Sequence, residues 1–156
     1  MKMKKILLTA AIALFTTLSF AQNTNDDIEV LRDMAAAERR ALVAENLMLS
    51  EEESKLFWPM YDEYRAEVRK IGTARIEVVT KFAENYENMT DEVAKEIMDS
   101  FFTNEMNYNK VRTSYKNKMS KTLSPKLVFR FIQIENKIDA LIDFEMATEI
   151  PLIMKD

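Results

Sequence analysis

Apolar residues recur along this chain at helical rather than strand spacing. At about 100° per residue, Phe57, Met60, Tyr61, Tyr64, Val68, Ile71, Val78, Val79, Phe82 and Tyr86 fall on one stripe. Val93, Ile97, Phe101, Tyr108, Val111, Tyr115 and Met119 make a second. Leu127, Phe131, Ile134, Ile138, Leu141 and Ile142 make a third, which Val128, Ile132, Met146 and Ile150 widen to about half the circumference. An earlier stretch with Ile28, Leu31, Ala35 and Leu42 has the weakest pattern.

Start signals divide these stripes into elements. Ser50, Thr90 and Ser124 each follow an apolar residue and precede acids or proline, as helix N-termini do. Ser50 with Glu53 is a capping box, in which each side chain takes the other residue's backbone N–H. Pro125 suits the first helical position, and Leu123 with Val128 has the spacing of a hydrophobic staple. The pattern predicts four helices, at 26–47, 51–87, 91–122 and 125–149, with Pro151 closing the last. The fold class expected is all-α, with two long antiparallel helices in a single domain over 22–156.

Three residues interrupt the stripes. Pro59 lies inside the second helix, where it deprives the Lys55 carbonyl of its donor and predicts a kink costing roughly 3 kcal/mol. Arg75 and Asn104 are polar positions on the second and third stripes. A buried arginine is expensive unless paired, so each marks either a partner on a neighbouring helix or one shared opening to solvent.

Composition supports the helical reading, with one glycine and three prolines in 156 residues. The first residues give an address. Lys2, Lys4 and Lys5, the apolar run Ile6 to Leu18 and the small-x-small step Ser19-Phe20-Ala21 describe a signal peptide over 1–21, with a mature start at Gln22 and a periplasmic product. That run is too short to span roughly 30 Å of hydrocarbon, and no later stretch is free of charges, so no membrane insertion is expected after cleavage. Removing three of the 22 basic residues and none of the 26 acidic ones takes the net charge from −4 to −7, which argues against nucleic acid as a partner.

The chain has no histidine and no cysteine. It therefore lacks an imidazole base, a thiol nucleophile and a disulfide framework, and its one glycine, Gly72, cannot build a phosphate loop. Its acids recur on polar helix faces without a calcium-loop motif. No enzyme, catalytic residue, cofactor or metal is expected. Between Glu105 and Glu135 there are seven bases and no acid. Arg112 and Lys116 border one side of the tyrosine stripe and Lys118 the other. They either offer cations beside Tyr108 and Tyr115 to an acidic, partly apolar chain, or complement the helix dipole and pair with acids on other helices.

Leu49-Ser50-Glu51-Glu52-Glu53 resembles the Leu-Thr-x-x-Gln signature of the Spy/CpxP superfamily of periplasmic helical proteins, and Leu123-Ser124-Pro125-Lys126-Leu127 is similar to its second copy. Phe57-Trp58-Pro59-Met60-Tyr61-Asp62-Glu63-Tyr64 looks like a block found in one exported branch of that group. Phe131 to Lys137 and Ala147 to Leu152 resemble that branch's ending. Glu53 and Leu127 stand where the signature has glutamine, so no role of that amide carries over. The resemblance implies a cradle-shaped antiparallel homodimer, with coiled-coil-like packing, that holds unfolded or partly folded proteins without ATP. The alternative is a stress sensor that reports to one specific membrane partner. For the holding role, the candidate residues are apolar or basic groups off the main seams. Trp58 and Ile76 lie roughly 100° from the second-helix stripe, and Met98, Phe102 and Met106 lie behind the third-helix stripe. Arg112, Lys116 and Lys118 join them. Each could equally serve a dimer contact.

Overall fold

The computed structural model describes residues 24–154, so the expected signal segment and mature start lie outside the described residues. Helix accounts for 88% of what is described, with no strand among those residues. Four α-helices follow one another: α1 (Thr24–Leu47), α2 (Glu51–Asn85), α3 (Asp91–Met119) and α4 (Pro125–Glu149), with a short 3-10 turn, Tyr86–Asn88, after α2. None of the described helices is long and apolar enough to cross a membrane.

The caps form as the residue types require. Ser50 Oγ accepts from the Glu53 amide at 3.2 Å while the Ser50 amide donates to Glu53 Oε2 at 2.9 Å, completing the capping box. Thr90 Oγ1 accepts from the Val93 amide at 3.3 Å, and Ser124 Oγ from the Leu127 amide at 3.3 Å. Leu123 and Val128 are both buried, as a staple needs. α2 continues through Pro59 instead of restarting there. α3 ends at Met119, three residues before the expected end at 122. Past Met119 the chain turns, with the Leu123 amide bonded to the Met119 carbonyl at 2.9 Å, before Pro125 opens the next helix.

The contacts gather into two compact units. One joins Leu49–Val128 with residues 152–154; the other joins residues 24–48 with Phe129–Pro151. In the unit beginning at Leu49, α2 and α3 form an antiparallel hairpin. Glu63 meets Lys118, Tyr64 meets Tyr115 and Lys81 meets Glu96, so positions rise along one helix as they fall along the other. Its core is Phe57, Met60, Tyr61, Tyr64, Met119, Leu123 and Val128. Each such side chain contributes roughly 1.5–3 kcal/mol on burial.

In the other unit, Val43 and Leu47 of α1 and Phe131 and Ile138 of α4 are buried together with two charged residues, Arg39 and Glu135. Arg39 Nη1 donates to Glu135 Oε2 at 2.8 Å and Nη2 to Asp139 Oδ1 at 2.7 Å. Nearby, Arg130 Nε donates to the Asn46 carbonyl at 2.8 Å. Of the wide apolar arc expected on α4, Val128, Phe131 and Ile138 are buried and Leu141 is exposed; Phe129 and Phe144, outside that arc, are exposed too.

Candidate interaction surface

The α2–α3 hairpin has a packed base and an open length. At the base, the Phe57 and Tyr61 rings stack with centroids 5.6 Å apart, and Tyr64 meets Tyr115 edge-on at 5.6 Å. The Tyr64 and Tyr108 hydroxyls lie 3.5 Å apart. Beyond this cluster, no described residue from 65 to 118 is buried. Val68, Ile71, Val78, Val79 and Phe82 of α2, with Val93, Ile97 and Val111 of α3, are all half-buried. Within this unit each helix covers only one stripe of the other, so the apolar margins stay partly open.

Met98, Phe102 and Met106 follow one another at i, i+4 and i+8 on α3 and are all exposed, Phe102 at 63%. Phe101, expected in the third-helix stripe, is exposed too and meets the Phe102 ring edge-on at 5.5 Å. A single facing helix covers a narrow arc, which leaves Phe101 at its edge. The exposed row is therefore four residues. A groove of about 410 Å³ opens on the same hairpin, lined by Ala74, Val78 and Ile97 together with Glu77, Asp99 and Asn104. Asn104 is thus at an opening, as one sequence reading had it. Arg75 is half-buried and is not among the lining residues.

Trp58 departs from expectation. It does not stand apart from the aromatic cluster: it is half-buried, edge-on to Phe57 at 5.0 Å and to Tyr61 at 5.3 Å. Adjacent positions on a helix diverge, yet an indole is broad enough to reach rings on either side. Ile76 is half-buried on α2.

The cations divide between the two roles weighed for them. Arg112 lies over the Tyr108 ring at 5.4 Å, and Lys118 over the Tyr115 ring at 5.6 Å while pairing with Glu63 on α2. The hydrogen bond to Glu63 raises the Lys118 pKa above its usual value. Partial burial, followed by the Glu63 charge, raises that of the Tyr115 phenol. Lys116 is exposed in the last turn of α3. Met98 and Lys118 stand roughly 30 Å apart along the helix axis, so the expected site residues form two groups, an apolar row and a cation–tyrosine base, and not one pocket.

The sequence reading missed Arg39, Glu135 and Asp139. A signal was present: Val128, Phe131, Glu135 and Ile138 are spaced at i, i+3, i+7 and i+10, so Glu135 sits within the apolar stripe and demands a cation there.

No family model, curated protein or solved structure matches the chain.

Proposed function

We propose that this protein is an exported, ATP-independent holdase that binds non-native proteins through the open length of the α2–α3 hairpin, as its resemblance to the Spy/CpxP superfamily implies. The supporting observation is the hairpin itself: no described residue from 65 to 118 is buried, and Met98, Phe101, Phe102 and Met106 form an exposed apolar row. Thioether and phenyl groups adapt to varied apolar partners at little conformational cost, which suits a binder of many unfolded chains. Arg112 and Lys116 add cations that attract acidic segments. The same reading expects a homodimer in solution, measured by sedimentation.

The test is suppression of light scattering by an aggregating client at stoichiometric ratio. The protein suppresses it, and the exposed pair Phe101→Ser and Phe102→Ser loses suppression while keeping its helical circular dichroism. Absence of suppression by the unaltered protein across several clients sinks the holdase reading. Capture of one membrane protein by a chain that suppresses nothing would instead assign the sensor role.

A further inference from the structure

We propose that Met98 and Met106 are an oxidation site through which peroxide releases bound client; this rests on the holdase reading above. The chain has eleven methionines and no cysteine, so thioether is its oxidisable sulfur. The methionines fall into distinct environments. Met119 is 0% and Met60 9% exposed, inside the hairpin base, whereas Met98 and Met106 are 52% and 51% exposed. These two stand one helical step either side of Phe102, the most exposed ring of the row, so both sulfurs lie beside the surface an apolar client must cover.

The chemistry is complete with a peroxide as oxidant. The sulfur lone pair attacks one peroxide oxygen, the O–O bond breaks as the S–O bond forms, and the second oxygen leaves as water after taking up the proton of the transferred oxygen. Sulfur loses two electrons and the peroxide gains them. Each event turns an apolar, flexible side chain into a polar one. Two of the four residues in the row then carry a strong hydrogen-bond acceptor that a client would bury without a donor. Because both groups are exposed, the helix accommodates the added oxygen without repacking, so the change falls on binding and leaves the fold intact.

The protein purified as the cell exports it is treated with hydrogen peroxide. Peptide mass mapping follows each methionine, and client aggregation and an apolar fluorescent dye report binding. Met98 and Met106 gain oxygen well ahead of Met60 and Met119, and dye affinity and client suppression fall by about tenfold while helical circular dichroism is kept. Met98→Leu with Met106→Leu binds as before and keeps binding after peroxide, although Met34, Met48 and Met154, exposed outside the row, are still oxidised. Met98→Gln with Met106→Gln, which places a polar acceptor there without oxidant, binds weakly from the start. Undiminished binding after both sulfurs are oxidised overturns the proposal, as does a leucine pair that remains peroxide-sensitive. Failure of the untreated protein to bind any client overturns the holdase reading itself, a result seen before peroxide is added.

Discussion

Met48 ends α1 with φ of 53°, the one left-handed non-glycine residue among those described. Helices commonly close this way on glycine, since a side chain there crowds the neighbouring carbonyl at roughly 1–2 kcal/mol. Met48 is also 76% exposed, so its side chain returns little in packing. Met48→Gly or Met48→Asn is expected to stabilise the protein by up to about 1 kcal/mol, read as a higher urea midpoint at unchanged slope. Met48→Ala should give no such gain. Ser50, two residues on, was legible from sequence because a cap depends on nearest neighbours. The backbone of Met48 was not, since methionine carries no preference for that conformation. Trp58 and Phe101 fall between these cases: their angular positions were readable, but ring size and the narrow reach of one neighbouring helix decided what they touch.

Also at this scale, Tyr115 links burial to alkaline pH. Its phenol is raised above the usual 10.0, first by burial and then by the Glu63 charge. A raised folded-state value means that the contribution is fully present below the unfolded value and is lost as pH climbs through the folded one. Phenolate absorbance should therefore show late ionisation to which Tyr115 contributes, and Tyr115→Phe should lower the amplitude of that late component. Lys118, raised by its hydrogen bond to Glu63, follows the same sign: the contribution of the pair is fully present below the ordinary lysine value of 10.5 and is lost as pH climbs through the raised folded-state value.

At the scale of elements, α1 has few apolar residues to offer, and Arg39 replaces part of that core with charge. Arg39 and Glu135 are both buried, joined at 2.8 Å, with Asp139 a second acceptor. Removing one partner leaves the other charged and buried, so Arg39→Ala or Glu135→Ala is expected to cost about 3–5 kcal/mol. Replacing both, Arg39→Met with Glu135→Leu, should recover most of that loss, which thermal melts of the three variants beside the unaltered protein would measure. Helix number, type and near boundaries were legible because periodicity and caps are local. This pair was only half legible: the place of Glu135 in its stripe called for a cation, but its partner lies 96 residues away, beyond the reach of a helical wheel. The sequence left Arg75 either paired across helices or at an opening; the structure leaves it half-buried and buries Arg39.

For the whole molecule, packing is concentrated in a few places. The buried residues of the hairpin lie at 57–64 and 119–128, with half-buried residues filling the length between. Charge varies along the same axis: Asp91, Glu92, Glu96, Asp99 and Glu105 precede Lys110, Arg112, Lys116 and Lys118 on α3. The candidate row lies at the end of the acidic stretch, with Asp99 and Glu105 among its residues and the first of these bases, Lys110, one turn beyond Met106. Its composition was legible, since Met98, Phe102 and Met106 were named from the wheel. Its extent was not, because the exposure of Phe101 depends on how much of α3 the facing helix α2 covers.

The same open length bears on how the protein breathes. Amide hydrogens are released to solvent by local opening, and the cost of an opening follows the packing it disrupts. Amides around Phe82, Tyr86 and Ile97 should therefore exchange with deuterium orders of magnitude sooner than those around Tyr61, Tyr64 and Met119, a gradient that mass spectrometry of peptides would resolve. Uniform protection along both helices would contradict it. In the holdase proposed above, a hairpin anchored at one end and yielding at the other would reshape its surface around each guest by thermal motion alone, with no nucleotide needed to reset it.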